Sequence, residues 1–368
     1  QVLASVAVIR GFTISNGVAV QGGGVLCTNN TLVTLAACVL VNNKANGSVG
    51  IGGGVYATRC DMAITNCAVY GNTATYSGGG INVRNGALSI ADTVVISNSA
   101  AGWGGNGIET YATTGVIQRC HVAFNRGGGN FGGGVYAHGV LQLRDCQINS
   151  NECDYSGGGV YLTYSGAAPH SANAVSDCVL VGNQARWNGG GAVYLFYRGV
   201  VRNCTMLYNA APNGGGVFMD GDATTSGGMV SNCLIYGNSG EDGGGVFMFS
   251  RTALHGCSII SNVSSGTSGG ILLWGTNVTV RNCLISGNYA ATNASAVYCY
   301  HGGTLENTTI AGNRAGLGEC VRLQSGGELR NVIVYDNAGL ALYVTGGVVR
   351  WSCTSQWVPG QGNTTNPP

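Results

Sequence analysis

The chain has 368 residues, of which 65 are Gly and 15 are Cys, with 8% charged residues and a formal net charge of +1. So small a positive charge excludes a nucleic-acid partner gripped by a basic stripe. No run of apolar residues is long enough for a transmembrane helix, so no membrane insertion is expected of this chain.

The chain opens without Met and enters strand alternation almost at once, from Val6 to Ile14, as expected of a processed form or a piece of a longer protein. A glycine block followed by a β-branched residue, and usually an aromatic, then returns along the chain. It reads Gly22-Gly23-Gly24-Val25, then Gly52-Gly53-Gly54-Val55-Tyr56, and continues to Gly243-Gly244-Gly245-Val246-Phe247. Between blocks an Asn recurs: Asn43, Asn72, Asn98, Asn125, Asn151, Asn183, Asn209, Asn238, Asn262, Asn288, Asn313 and Asn337. The steps run from 24 to 32 residues. A period of this size means stacked coils, because one coil cannot bury its apolar side alone.

The clearest copy runs from Gly139 to Asn151. Leu141 and Leu143 alternate with Gln142, and Cys146 and Ile148 alternate with Gln147. Asn149-Ser150-Asn151 is turn chemistry, and Val160-Tyr161-Leu162 supplies a third strand. Nothing has the spacing and caps of a long helix. The predicted fold is all-β: a parallel β-helix over residues 1–350 with three short strands in each of about 13 rungs. Residues 351–368 are expected to form a capping or linking tail.

Five residues before the Asn stand Cys38, Cys67, Cys120, Cys146, Cys178, Cys204, Cys233, Cys257 and Cys283; three before it stand residues such as Val69, Val122 and Ile148. Both are expected to point inward. Parallel neighbours in register hold their Cβ atoms about 4.8 Å apart, too far and too parallel for an unstrained bridge. The ladder thiols are therefore expected to be buried and free. Cys27, Cys60, Cys153, Cys299 and Cys320 lie off the ladder, and a bridge among them is left open. The Asn column is expected to bond backbone in the bend and its own copies above and below.

Residues after each glycine block should alternate in and out. That places Tyr194, Phe218, Phe247 and Tyr298 in one outward column, and Phe196, Asp220, Phe249, Trp274 and Tyr300 in a second. Rings on a rigid sheet suit sugar rings or a neighbouring rod, although stacking that only stabilises the sheet explains them equally well. The best acidic cluster for catalysis is Asp220, Asp222, Glu241 and Asp242, with Glu152 and Asp154 a second; solvated loop acids are the plain alternative. His121, His138, His170, His255 and His301 share no rung position. No cofactor is called for, and Ca²⁺ is the one metal that such oxygen-rich loops would suit.

The pairing of Gly-Gly-Gly-Val-Tyr with elements such as Val69-Tyr70-Gly71-Asn72 and Ile148-Asn149-Ser150-Asn151 resembles the right-handed parallel β-helix repeats of secreted and surface bacterial proteins, among them those of the polymorphic outer-membrane protein type. The resemblance spans essentially the whole chain. With the handedness rule for parallel crossovers, it implies a right-handed helix. It also implies an extracellular or cell-surface location and a structural or adhesive rod. Such a rod would assemble with itself, head to tail or laterally, or bind extracellular glycans. These observations favour a non-enzymatic role, with a polysaccharide-binding or polysaccharide-degrading protein as the alternative.

Overall fold

Each coil turns its corners at single residues in the left-handed region of backbone space. The residue before the ladder Cys is one such corner: Arg119, Asp145, Asp177, Asn203 and Asn232 all have φ near +50°. The residue before the ladder Asn is a second, as at Phe124, Ser150, Gly182 and Gly237. The first glycine of each block is a third, as at Gly52, Gly132 and Gly243. Asn, Asp and Gly recur at these corners because they enter this region at least cost. The second and third glycines serve close stacking instead. A Cβ on Gly53 would lie 2.4 Å from the carbonyl oxygens of Gly79 and Thr73 on the next coil.

The computed structural model describes residues 6–29, 32–163, 173–221 and 227–368, and is an all-β, right-handed parallel β-solenoid of about 12 turns. His170 and Asp222 lie outside the described residues. No helix among the described residues is long and apolar enough to cross a membrane. The chain divides into two compact units, residues 1–187 and 188–368.

In the first unit the strands after the glycine blocks pair in parallel and in register: Val55 with Ile81, Ile81 with Ile108, Ile108 with Val135 and Val135 with Val160. A second face stacks Ala68–Tyr70, Val94–Ile96, His121–Ala123 and Gln147–Asn149. Along Val135–Arg144 burial alternates residue by residue, as a half-buried strand requires. The second unit repeats the plan, with Val217 paired to Val246, Val246 to Ile271 and Ile271 to Val297. Its ladder pairing runs on to Cys353–Thr354, which pairs with Ile333 and Val334.

The Asn column is fully buried from Asn43 to Asn313, and Asn337 at its end is half-buried. In the first unit Asn72 Nδ2 donates to Asn98 Oδ1 at 3.0 Å, Asn98 to Asn125 at 3.0 Å, Asn125 to Asn151 at 2.9 Å and Asn151 to Asn183 at 3.0 Å. In the second, Asn209 donates to Asn238, Asn238 to Asn262 and Asn262 to Asn288 at 2.9, 3.0 and 3.0 Å.

Cys120, Cys146, Cys178, Cys204, Cys233, Cys257 and Cys283 are buried free thiols, and Cys27 is bridged to Cys60. Burial pushes the Cys153, Cys299 and Cys320 thiols up to about 12. The thiolate is the reactive form, so native protein should resist alkylation at the buried free cysteines and react only after unfolding. Cys204→Ser should cost on the order of 1–3 kcal/mol, since burying a hydroxyl costs more than burying a thiol even where the bond to Arg202 O is kept. Mass-spectrometric counting of labelled thiols and urea melts check both outcomes.

Candidate functional site

Asp220 does not converge with Glu241 and Asp242, whereas Glu152 and Asp154 meet at Arg186. Asp220 ends the strand Val217–Asp220, and its Oδ2 accepts a 2.9 Å hydrogen bond from the Tyr194 hydroxyl. Glu241 and Asp242 precede the next glycine block. Asp242 pairs with Asn213, whereas Asp220 pairs with Phe196, so they occupy opposite ends of a coil face. Asp242 Oδ1 accepts from the Thr267 hydroxyl at 2.6 Å, which fastens one loop to the next. Glu152 sits between Arg126 and Arg186, and Asp154 also pairs with Arg186 at 3.4 Å. Among the described residues no group of three or more His, Cys, Asp or Glu is arranged to hold a metal ion.

The first aromatic column is not an open face. Tyr194, Phe218, Phe247 and Tyr298 are 5%, 8%, 7% and 6% exposed. Tyr194 stacks on Phe218 and Phe218 on Phe247, both at 4.8 Å, with planes 7° and 18° apart. Strand spacing brings equivalent rings so close that each covers the next. Phe196, Phe249, Trp274 and Tyr300 are half-buried, with Trp274 and Tyr300 at 4.3 Å.

In the first unit the corresponding column is interrupted. Where neighbouring coils carry Tyr56, Tyr136 or Tyr161, the strand Ile108–Gln118 carries Glu109, in register with Asn82 and Tyr136. The preceding glycine block is broken too, reading Trp103-Gly104-Gly105-Asn106-Gly107. Asn106 is buried; it accepts from Ala100 N at 3.0 Å and donates to Glu152 O at 2.8 Å. This holds the irregular loop against both neighbours. Glu109 is only 3% exposed, yet it borders a cleft of about 190 Å³ lined by Tyr76, Arg84, Trp103, Gly104, Tyr111, Phe131 and Tyr136.

Inside the cleft Arg84 Nη2 donates to Glu109 Oε1 at 2.9 Å and to Ser77 Oγ at 3.1 Å, while its Nε donates to Asn82 Oδ1 at 3.1 Å. Glu109 Oε2 has no hydrogen-bond partner. Burial pushes the carboxyl above its ordinary range, and the attraction of Arg84 only partly offsets this. Burial and the nearby Glu109 raise Tyr136 to about 12. At the rim Tyr111 stacks on His138 at 4.3 Å with planes 6° apart. Burial holds His138 below its ordinary value, and its Nδ1 accepts from Ala112 N at 3.4 Å.

Gly104 has φ +107°, and a Cβ there would lie 2.1 Å from Glu109 Oε2. Gly104→Ala should therefore displace the carboxyl and, through the strain of a side chain at this φ, lower stability by roughly 1–3 kcal/mol. Urea melts of the variant and its parent check this. Of this site the sequence pattern picks out only His138 and, as one of the outward aromatic residues, Tyr136. The missed signal is a carboxylate in an aromatic column beside a broken glycine block.

No curated protein matches the chain. Among solved structures it is similar to a tailspike of Acinetobacter baumannii bacteriophage Fri1, a capsular polysaccharide depolymerase. Identity is 8% and the TM-score 0.40, over 85% of this chain and 57% of that one. The chain thus spans little more than half the length of that tailspike. It is also similar to the A-module of a mannuronan C-5 epimerase from Azotobacter vinelandii, at 13% identity and a TM-score of 0.41, over 96% and 90%. A surface adhesin of Streptococcus pneumoniae follows at 8% and 0.28, over 97% and 83%. At these identities the likeness is one of fold. The expectation of a non-enzymatic role is corrected by these neighbours, two of which are carbohydrate-active enzymes. A right handed beta helix region matches residues 3–175 and 171–348, nearly the whole chain, and the chain belongs to that family.

Proposed function

We propose that this is a secreted or surface protein acting on acidic polysaccharide, and that it abstracts the proton α to a uronate carboxyl in the Glu109 cleft. The observation that carries the reading is Glu109 itself: a buried carboxyl beside Arg84, with one oxygen unpaired, on a cleft walled by aromatic rings. Glycoside hydrolysis needs two carboxylates. Glu109 is the only carboxylate among the residues lining this cleft. Proton abstraction instead needs the substrate carboxylate held and neutralised, and a base in reach.

Arg84 and protonated Glu109 take the uronate carboxylate and withdraw charge as the carbanion develops. Neutral His138 accepts the C5 proton at Nδ1, its unprotonated ring nitrogen, as the 3.4 Å hydrogen bond from Ala112 N gives way. The electron pair left at C5 forms the C4–C5 double bond as the C4–oxygen bond breaks, and the departing oxygen takes a proton from the Tyr111 hydroxyl. Return of a proton to the opposite face of C5 would give epimerisation instead. Tyr76, Trp103 and Phe131 offer faces to sugar rings.

The test is incubation in D₂O with alginate, polygalacturonate and dextran. Deuterium at C5 of an acidic polymer, with or without unsaturated chain ends, is the expected result. New reducing ends without a double bond or deuterium, or reaction on dextran alone, would overturn it.

A further inference from the structure

We infer that a binding track for acidic polysaccharide leaves the Glu109 cleft along the first unit, formed by Trp103, Phe131, Tyr155 and Trp187 with Arg126 and Arg186. It rests on the proposed function for the class of polymer, but its geometry is independent of the chemistry.

All four aromatics lie on the loops that lead into glycine blocks, so the repeat itself sets them out coil after coil. Their arrangement is opposite to that of the buried column in the second unit. Trp103 and Phe131 have centroids 6.1 Å apart and planes at 48°; Phe131 and Tyr155 lie at 5.7 Å and 84°. Rings set edge to face do not cover one another. Trp103 is 60%, Tyr155 46% and Trp187 73% exposed. Large exposed rings gathered on one face mark a binding surface, and flat faces left open to solvent suit the apolar faces of sugar rings.

The loops are held rigidly. Ala100 O and Gly104 O press so closely on Gly127 and Gly129 that a Cβ there would approach within 2.3 and 2.6 Å. Tyr155 N donates to Asn130 O at 3.0 Å, and Trp187 N to Asp154 O at 2.9 Å. Beside these rings Arg126, Arg186, Glu152 and Asp154 line a second hollow of about 280 Å³ with Gly127 and Gly128. Arg126 Nε stands 3.4 Å from Glu152 Oε2, and Arg186 pairs with both acids. Both arginines are more than half exposed, so each guanidinium has edges open to solvent. Guanidinium groups bind carboxylates through paired N–H donors, and the adjoining acids accept from hydroxyls. This mixture of planar charged pairs and open rings recognises an acidic sugar chain. The loop 126–131 borders both hollows, supplying Phe131 to one and Arg126 to Gly128 to the other.

Binding of alginate and polygalacturonate, with their short oligouronates, is measured by titration calorimetry on the whole chain and on a Tyr155→Ala/Trp187→Ala variant. These side chains are exposed, so the fold should survive, and melting checks it. Polymer affinity is expected to fall about tenfold while affinity for the short oligouronates, which fill the cleft alone, stays unchanged. Equal polymer binding by variant and parent overturns the track and leaves the proposed chemistry standing. Absence of polymer binding by the parent chain also overturns it. Polymer binding through these residues with no deuterium uptake keeps the track and removes the chemistry.

Discussion

Asn125→Ala is expected to destabilise the first unit by roughly 3–5 kcal/mol, a large effect for one side chain. Asn125 Nδ2 donates to Val95 O at 2.9 Å and to Asn151 Oδ1 at 2.9 Å, and its Oδ1 accepts from Asn98 N and Asn98 Nδ2, both at 3.0 Å. Removing the amide leaves the buried Val95 carbonyl and Asn98 N–H without these bonds, and each orphaned group costs about 1–3 kcal/mol. Asn125→Asp should not rescue it. An aspartate would face two oxygens, Val95 O and Asn151 Oδ1, where the amide placed its donor. A variant that merely lost packing would be rescued by this nearly isosteric change. Urea melts, with hydrogen exchange to locate the opening to the adjoining coils, decide between the two. Melting within 1 kcal/mol of the parent would show that the column is not a hydrogen-bonded support.

The ladder was legible because its signal is repetition. Stacking in register converts one residue's environment into a column, so twelve copies of one Asn speak for each other. The corners were legible for the same reason, since only a few residues accept the left-handed backbone. The site was not legible, because it is a local departure from the repeat, with Asn82 and Glu109 standing where other coils carry Tyr. Glu109 has no copy, and its importance comes from burial beside Arg84, which depends on the irregular loop through Asn106. The outward aromatic columns show the other limit. Alternation gives the direction of Tyr194 and Phe218 but not their exposure, which is set by how closely parallel strands bring equivalent rings. The off-ladder cysteines divide similarly: Cys27 and Cys60 meet only because the coil turns between them.

Turnover is expected to follow a bell-shaped pH profile, with an alkaline limb set by Glu109 and an acidic limb set by His138. His138 must be neutral to accept a proton. Burial lowers its pKa, so the base form persists to lower pH than in a free imidazole. Glu109 must be protonated to share the substrate carboxylate with Arg84. Burial raises its pKa, with Arg84 opposing, so activity is lost as pH climbs through that raised value. Burial moves the pKa values of the acid and the base toward one another. Glu109→Gln keeps a neutral hydrogen-bonding group and removes the titration. It should therefore abolish the alkaline limb, while Arg84→Ala should reduce turnover at every pH by about two orders of magnitude. Stability supplies an independent reading. A carboxyl whose pKa is higher in the folded than in the unfolded chain favours folding below its unfolded pKa, and that contribution disappears as pH rises through the folded value. Above that value the parent chain carries a buried charge that Glu109→Gln lacks. The variant should then melt higher than its parent at alkaline pH and match it at acidic pH. Equal melting across the whole range, or an alkaline limb that survives in Glu109→Gln, would mean that Glu109 is ionised throughout and that another group holds the proton.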